Sequence, residues 1–221
     1  MTKLPPSPVA RVQVFVQARM SSARFPGKVL APLDGWPLVR HVIEAVRRAL
    51  PSVPLVVATT SEGADDPLVA YLDALGVASF RGERDDVFGR FRECLAVHPG
   101  EWILRICADS PRLDPRMLRR VADGAQGDGA DLVTTRLPFP LAKGQNGELI
   151  RARAFLSIDD RELTAYDREH VTPFFYRHPD RFRIVGIADQ LPELVDGAFV
   201  VDEIEDLRRL ERAPAAMSGR G

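Results

Sequence analysis

The segment that follows the first apolar run of the chain concentrates side chains that could bind the phosphates of a nucleotide. From residue 17 it reads Gln-Ala-Arg-Met-Ser-Ser-Ala-Arg-Phe-Pro-Gly-Lys, so three cations, two hydroxyls and a glycine lie within the ten residues from Arg19 to Lys28. Phosphate oxygens are bound by backbone N–H groups, guanidinium forks and ammonium charges, and this segment offers all three. Its spacing matches neither a Walker A loop nor a dinucleotide-binding glycine motif. A solvated basic loop between a strand and a helix fits the same composition.

Two aspartates have positions from which they could hold a divalent cation. Asp109 follows the apolar run 102–107, and Asp202 follows a later apolar run. Mg²⁺ prefers oxygen ligands and is often held by one or two carboxylates together with substrate phosphates. Each aspartate also has a structural alternative. Asp109 can cap the turn before Pro111, and Asp202 with Glu205 has the spacing of a helix capping box.

The elements that must position these side chains follow from the hydrophobic pattern. Short alternating or β-branched runs predict strands over 12–16, 53–60, 77–80, 102–107 and 132–135. Amphipathic segments predict helices between them, beginning at Pro37, at Asp65 or Asp66, at Asp85 or Asp86, and at Asp114. Strands that alternate with helices predict a parallel sheet covered on both faces. Ligands of such sheets bind at the carboxyl ends of the strands, which is where residues 17–28 and Asp109 fall.

The remainder of the chain is less regular. It predicts a loop over 138–147, a helical segment over 166–178 broken at Pro173, strands over 182–187 and 199–201, and a helix over 203–212. We expect one domain over 1–221, in which 10–135 is the nucleotide-binding half and 136–212 is the acceptor and dimerisation half.

The composition excludes several classes of protein. The 30 Lys and Arg residues balance 31 Asp and Glu residues, which argues against a protein that coats nucleic acid. The two cysteines, Cys94 and Cys107, have no zinc-binding spacing and make no disulfide framework. No apolar run approaches the roughly 18 residues of a membrane span, and the N-terminus lacks a signal-peptide core. We therefore expect a cytoplasmic protein that binds neither nucleic acid nor membranes.

An ordered series of motifs resembles one known family. Residues 16–30 are similar to the signature loop of the cytidylyltransferases that make CMP-activated sugars, in the branch of spore coat polysaccharide biosynthesis protein F, a relative of CMP-Kdo synthetase. Further segments resemble the family's landmarks in the same order, namely 57–60 with 65–67, 80–87, 105–115, 169–173 and 201–207. Six landmarks in order over roughly residues 11–210 are far more specific than any one of them.

The resemblance implies a fold, a nucleotide and a cofactor. The fold is the glycosyltransferase-A-like α/β sandwich of three layers with a mostly parallel mixed sheet. The nucleotide is CTP, the cofactor is Mg²⁺, and the resemblance places the metal ligands at Asp109 and Asp202. CMP would pass to a small acceptor with release of pyrophosphate, and a sugar acid, another sugar or a phosphonate would all be compatible. Relatives often dimerise through the second half, so a homodimer is expected.

Each candidate residue is expected to serve one part of this reaction. Lys28 and Arg24 would neutralise the β- and γ-phosphates, and Arg19 would support the loop or contact phosphate, which makes these three the candidate catalytic residues. The candidate nucleotide-binding residues are Gln17, Ala18, Arg19, Ser21, Ser22, Arg24, Lys28, Thr59, Asp66, Arg81 and Asp85. The candidate acceptor-binding residues are Asn146, Glu148, Arg168 and His170. For Arg81 and Asp85 a surface ion pair fits equally well, and Arg168 and His170 could instead belong to a salt-bridge cluster at a helix start.

The chain departs from the family pattern at a few positions. Ala108 stands where the family usually has glycine, and Gln145 and Asn146 replace an apolar residue and an aspartate on the acceptor side. These changes indicate a different acceptor or a weaker activity. Two other functions remain open, a glycosyltransferase that uses a nucleotide sugar and a non-catalytic nucleotide-binding partner.

Overall fold

A seven-stranded sheet runs through the computed structural model, which describes residues 11–127, 129–190 and 197–212. The strands are β1 (Val12–Gln17), β2 (Pro32–Leu33), β3 (Trp36–Pro37), β4 (Leu55–Thr60), β5 (Ala78–Gly82), β6 (Trp102–Cys107), β7 (Leu132–Thr134), β8 (Glu148–Arg151) and β9 (Ile184–Gly186). The α-helices are α1 (Leu38–Ala49), α2 (Asp66–Ala74), α3 (Val87–Val97), α4 (Pro115–Asp123), α5 (Ala152–Leu156), α6 (Ala165–His170), α7 (Pro173–Arg177) and α8 (Ile204–Arg212).

The sheet has the order β5-β4-β1-β6-β8-β7-β9, and β2 and β3 form a separate two-stranded hairpin. The pairs β1 with β4, β1 with β6, β4 with β5 and β7 with β9 are parallel. β8 is antiparallel to both of its neighbours, β6 and β7. The predicted α/β class with a mostly parallel mixed sheet is confirmed.

Helices pack on both faces of the sheet and give three layers. One apolar cluster joins α1, α2 and α4 to one face, and a second joins α3, α5 and α7 to the other. Successive side chains of β1 point to opposite faces of the sheet, so the strand contributes to both clusters. Val12, Val14 and Val16 belong to the first cluster, and Phe15 belongs to the second. The site side chains are thus carried on strand ends that are fixed from both sides.

The structure corrects two strand predictions and adds a strand. β4 begins at Leu55 and not at Val53, because the intervening Pro54 has no N–H to donate to a ladder. Residues 199–201 form no strand, and beside them an isolated bridge joins Lys143 to Ala198. β8 arises in a stretch that the pattern did not identify as a strand.

Helix capping is predicted correctly at two helices and wrongly at a third. Asp86 accepts from Gly89 N at 2.9 Å at the start of α3, and Asp114 accepts from Arg116 N at 2.7 Å at the start of α4. No side chain caps α2, so the predicted cap at Asp65 or Asp66 is wrong. Across the described residues, no helix has the length and apolar character needed to cross a membrane.

Candidate active site

The parallel strands end at one edge of the sheet, and a cleft of about 350 Å³ opens there. The antiparallel β8 begins at this same edge, with Glu148 beside Arg105 of β6. The cleft is lined by Gln17, Ala18, Arg19, Ser22, Ala23, Arg24, Lys28, Val29, Arg105, Cys107, Asp109, Glu169, His170 and Asp202. The cations of the N-terminal loop and both aspartates predicted to hold metal therefore face one cleft.

Residues 18–28, here called the phosphate loop, curl around the backbone of Met20. Its carbonyl accepts from Gly27 N at 2.8 Å and from Ser22 N at 2.9 Å. The φ angle of +75° at Gly27 lies in the left-handed region that favours glycine. Lys28 follows directly in a 3-10 turn, Lys28–Leu30, so the turn at Gly27 directs its side chain back into the cleft.

Asp65 ties the phosphate loop to the end of β4. Its buried carboxylate accepts from Met20 N at 2.7 Å, from Thr59 Oγ1 at 2.7 Å and from Thr60 N at 2.9 Å. Burial opposes ionisation, but the hydrogen bonds from Thr60, Thr59 and the backbone outweigh it and hold the pKa of Asp65 below its ordinary value. Asp65 therefore does not cap α2 because its oxygens are already engaged by the loops of the site.

Lys28 bridges the two candidate metal-binding aspartates. Its ammonium lies 3.0 Å from Asp109 Oδ2 and 3.1 Å from Asp202 Oδ1, and it also donates to Val201 O at 2.7 Å. The residue is only 9% exposed. The sequence predicts Lys28 among the phosphates of a nucleotide, whereas in the structure its ammonium lies between the two carboxylates.

The capping alternative for Asp202 is wrong. The N–H groups of Asp202 and Glu203 both donate to Asp206 Oδ2, at 2.9 and 3.0 Å, so Asp206 takes the part in a capping box that the sequence pattern assigns to Glu205. The Asp202 carboxylate is left for the cleft, where its Oδ2 pairs with Arg24 at 3.1 Å. Asp202 thus serves the site, and α8 uses a different acid.

The Asp109 and Asp202 oxygens fit a divalent cation. Carboxylate oxygens are the ligands that Mg²⁺ and Mn²⁺ prefer, and here one oxygen of each residue already contacts a single cationic atom, the Lys28 ammonium. Among the described residues no cluster of three or more His, Cys, Asp or Glu side chains could enclose a metal. A cation held by these two aspartates would therefore take its other ligands from substrate or water.

A second, smaller pocket of about 190 Å³ adjoins the cleft. Both cavities are lined by Arg105, Cys107 and Asp109, so Asp109 stands where they meet. The rest of the second pocket is formed by Ser110, Lys143, Gly144, Asn146, Glu148 and Val200. We call it the acceptor pocket, since it contains Asn146 and Glu148, two of the residues predicted to bind the acceptor.

The loop that carries Asn146 is tightly held. A Cβ on Gly144, which has a φ of +89°, would lie 2.6 Å from the Phe199 carbonyl carbon, so only glycine fits without a shift. The buried Gln145 side chain accepts from Asp114 N at 3.0 Å and donates to Arg112 O at 2.5 Å. Gln145 therefore anchors the loop, and only Asn146 of the two departures from the family pattern faces the acceptor pocket.

Glu148 is engaged in a buried network. It accepts from Arg105 Nη1 at 2.7 Å, from Thr172 Oγ1 at 2.9 Å and from Tyr176 OH at 3.0 Å. Arg105 also donates to Gln17 Oε1 at 3.2 Å. The network joins β1, β6, β8 and α7 below the cleft, and it leaves Glu148 with both oxygens occupied.

Four predicted nucleotide-binding residues lie outside the lining of the cleft, namely Ser21, Asp66, Arg81 and Asp85. Arg81 donates to Thr60 O at 2.9 Å and forms an ion pair with Asp66 at 2.7 Å. Asp85 pairs with Arg84 at 2.9 Å. Arg81 and Asp85 therefore both form the ion pairs of the alternative interpretation, and they hold the loops after β4 and β5. A further nucleotide-binding candidate, Thr59, is fully buried and also lies outside the lining.

The remaining candidates, Arg168, His170 and Ser21, differ in whether they line the cleft. Arg168 donates to Asp86 Oδ2 at 2.7 Å and does not line either cavity, whereas His170 lines the cleft and packs on Tyr166 with ring centroids 4.3 Å apart. The hydroxyl of Ser21 is buried in the phosphate loop without a hydrogen-bond partner. An unsatisfied buried hydroxyl is unusual, and Ser21 lies outside the lining of both cavities.

A comparison with known families decides the class of this protein. The profile of the family described as cytidylyltransferase matches residues 13–212. The chain belongs to the cytidylyltransferase family.

Individual relatives agree with this membership. Spore coat polysaccharide biosynthesis protein SpsF of Bacillus subtilis is 33% identical over 175 residues, covering 77% of this chain and 72% of that protein. The 3-deoxy-manno-octulosonate cytidylyltransferase of Anaeromyxobacter dehalogenans is 36% identical over 138 residues, covering 61% of this chain and 54% of that protein. The resemblance to the SpsF and CMP-Kdo synthetase-like branch is confirmed.

Solved structures confirm the fold. A cytidylyltransferase from Leptospira borgpetersenii superposes with a TM-score of 0.82 at 25% identity, covering 91% of this chain and 85% of that one. Rv0371c from Mycobacterium tuberculosis, solved as a complex with manganese, superposes with a TM-score of 0.63 at 20% identity, covering 90% and 97%. The glycosyltransferase-A-like arrangement expected for a cytidylyltransferase is present.

Several residues that matter to this cytidylyltransferase were not singled out from the sequence. Asp65 was interpreted as a helix cap, and Lys143 and Ser110 received no role although they line the acceptor pocket. Glu169 lines the cleft and pairs with Arg19 at 3.7 Å. Lys143 could have been found from its charge within the loop that departs from the family pattern.

Proposed function

We propose that this cytidylyltransferase transfers CMP from CTP to a hydroxyl group of a small acceptor, with Mg²⁺ as the cation, and releases pyrophosphate. The observation that carries the proposal is the meeting of two cavities at Asp109, one rich in cations from the phosphate loop and one lined by Lys143 and Asn146. A sugar acid, another sugar or a phosphonate would suit the second cavity.

The phosphate loop would bind the triphosphate. Arg19, Arg24 and Lys28 line the cleft and supply the charge, and backbone amides around Ser21 and Ser22 would cradle the phosphates. Gln17 and Ala18, at the end of β1, would form the floor under the nucleoside.

The loops after β4 and β5 would act on the nucleotide by positioning. Arg81 holds Asp66 and the end of β4, and Asp85 holds Arg84, whose carbonyl accepts from Arg19 at 3.3 Å. Thr59 would act through Asp65, to which its hydroxyl donates. These contacts support a role in holding the walls of the cleft in position.

Asp109 and Asp202 would hold the Mg²⁺ ion. When bound, the ion would neutralise phosphate charge and polarise the acceptor oxygen. In the reaction, a bond forms between the acceptor oxygen and the α-phosphorus while the bond from that phosphorus to the β-phosphate oxygen breaks, and the hydroxyl proton is released to water. The protein's contribution is positioning and charge neutralisation, so Lys28→Ala should lower turnover by on the order of a hundredfold.

The acceptor would lie in the pocket beside Asp109. Lys143 and Asn146 offer an ammonium and an amide to its polar groups, and His170 lies in the wall of the neighbouring cleft. Glu148 would act by fixing Arg105, and Arg168 would act by fixing the start of α3 through its bond to Asp86.

The test is an acceptor screen with CTP and Mg²⁺, in which mass spectrometry detects CMP adducts and a coupled assay measures pyrophosphate. A CMP adduct with equimolar pyrophosphate supports the proposal. Sugar transfer from a nucleotide sugar without pyrophosphate would favour a glycosyltransferase. CTP binding that is independent of Mg²⁺, with no adduct, would favour a non-catalytic partner.

We further propose a single cytoplasmic domain that forms a homodimer. Support for one domain is that β8, from residues 136–212, lies between β6 and β7 of residues 10–135. Support for a dimer is that Leu137 and Phe139 of the second half are 39% and 52% exposed. Light scattering over a range of protein concentrations would give the mass that decides it.

A further inference from the structure

Every proton of the Lys28 ammonium is already donated. Its three acceptors are Asp109 Oδ2, Val201 O and Asp202 Oδ1, at 3.0, 2.7 and 3.1 Å. An ammonium has three donors and no more. Lys28 therefore cannot bind a triphosphate oxygen in this arrangement without giving up one of these partners.

Two of the three partners are the carboxylates that would hold the divalent cation. A metal bound to the oxygens that contact Lys28 would be repelled by the ammonium beside it, so the two cations compete for these oxygens. The side chain has a flexible stem, whereas its backbone is fixed by the turn at Gly27, so the ammonium can move while the loop stays.

We propose that Lys28 and the divalent cation exchange on Asp109 and Asp202. In the metal-free protein the ammonium bridges the two carboxylates and keeps them neutralised. When the cation binds, it takes both carboxylates and releases the ammonium toward the triphosphate. The exchange rests on the metal site of the proposed function and adds that Lys28 reaches phosphate only after the metal has bound.

Arg24 provides a matched comparison. It also pairs with Asp202, at 3.1 Å, but through Oδ2 and from a side chain that is 61% exposed. Removing Arg24 takes one positive charge from the same carboxylate without opening the space between Asp109 and Asp202. A general charge effect would therefore act on both variants, whereas the exchange acts on Lys28 alone.

The first measurement is Mn²⁺ affinity without nucleotide, by calorimetry and by the electron paramagnetic resonance signal of free Mn²⁺. We expect Lys28→Met to bind Mn²⁺ about tenfold more tightly than the wild type or better, and Arg24→Gln to change it by less than about threefold. Equal tightening in both variants, or no tightening in Lys28→Met, would overturn the exchange.

The second measurement uses the wild-type protein, so it does not depend on the folding of a variant. The chain has three lysines, Lys3, Lys28 and Lys143, and limited acetylation with acetic anhydride can be quantified at each by mass spectrometry. We expect Mn²⁺ alone to raise the labelling of Lys28 severalfold relative to the exposed Lys143, and Asp109→Asn to abolish the rise. Unchanged Lys28 labelling at saturating Mn²⁺ would overturn the proposal.

The two proposals fail in different ways. A protein that shows the exchange but forms no CMP adduct would refute the proposed function and leave the exchange standing. A protein that forms the CMP adduct but whose Lys28 labelling does not change with Mn²⁺ would support the proposed function and refute the exchange.

Discussion

Asp65→Asn tests whether one buried carboxylate holds the phosphate loop to the rest of the site. Oδ1 accepts from Met20 N, and Oδ2 accepts from Thr59 Oγ1 and from Thr60 N. An asparagine has one acceptor oxygen, so in either orientation its NH₂ group faces a backbone N–H, of Met20 or of Thr60. The substitution therefore leaves a buried backbone donor without a partner.

The size of the effect follows from these contacts. An unsatisfied buried polar group costs about 1–3 kcal/mol, and a hydrogen bond to a charged group contributes about 1.5–3 kcal/mol. We expect Asp65→Asn to lose about 3 kcal/mol of stability, which for a chain of this size lowers Tm by roughly 6–12 °C. The freed Met20 N–H also loosens the phosphate loop, so KM for CTP should rise about tenfold.

The neighbouring Asp66 supplies the control. It is 64% exposed at its side chain and makes an ion pair with Arg81, the kind of contact that contributes about 0–1 kcal/mol. Differential scanning calorimetry and CTP saturation kinetics on Asp65→Asn and Asp66→Asn give the comparison. Equal Tm values for the two variants would refute the reasoning, because the two residues would then contribute alike in spite of their burial.

Three further predictions concern acid stability, acceptor binding and thiol reactivity. Burial opposes ionisation of Asp167, but hydrogen bonds from Arg177 and Thr164 lower its pKa to about 2. The ionised carboxylate therefore stabilises the folded protein above about pH 4, and this stabilisation is lost as the pH falls toward 2. Asp167→Asn should lose about 2 kcal/mol in urea unfolding at pH 7 and little at pH 2, and an equal loss at both would contradict this assignment. Lys143→Met should raise KM for an anionic acceptor about threefold to tenfold and leave KM for CTP unchanged in steady-state assays, while Lys143→Arg retains the wild-type value. Burial raises the pKa of the Cys107 thiol to about 11, so little of it is thiolate at pH 8. Iodoacetamide at pH 8 should therefore label Cys107 at least about a hundredfold more slowly than it labels glutathione. Mass spectrometry measures the labelling, and a urea-unfolded sample is the reference.

The parts of the fold that the sequence predicts are those with a strong local period. In β1, alternation placed Val14 and Phe15 on opposite faces, and helices α1 to α4 had apolar stripes long enough to identify. β8 has four residues and pairs with strands that lie far away in the sequence, so nothing local marks it. Its position nevertheless brings Glu148 to Arg105, a contact that only the sheet order reveals.

The candidate site was predicted in its composition and not in its contacts. The capping spacing of Asp202 and Glu205 was real, but Asp206, and not Glu205, is the acid that accepts from the Asp202 N–H, and it accepts from the Glu203 N–H as well. Asp65 looked like a helix cap because the sequence shows its helix and hides Met20, which is 45 residues away. In both cases two local structures were compatible with one pattern; a partner distant in sequence decided between them for Asp65, and a neighbouring acid decided for Asp202.

The charges in the cleft explain why a protein that binds a polyphosphate has no excess of positive charge. Each Lys and Arg side chain that lines the cleft has an acidic partner: Arg19 pairs with Glu169, Arg24 with Asp202, Lys28 with Asp109 and Asp202, and Arg105 with Glu148. A free triphosphate would therefore approach a cleft that is nearly neutral and would meet carboxylates as well as cations. In the proposed exchange, a divalent cation would change this balance, because it would neutralise the two aspartates and release Lys28. If Asp109 and Asp202 hold the metal as proposed, the paired acids would make the attraction for the nucleotide conditional on the metal, a selectivity that an open basic patch could not provide.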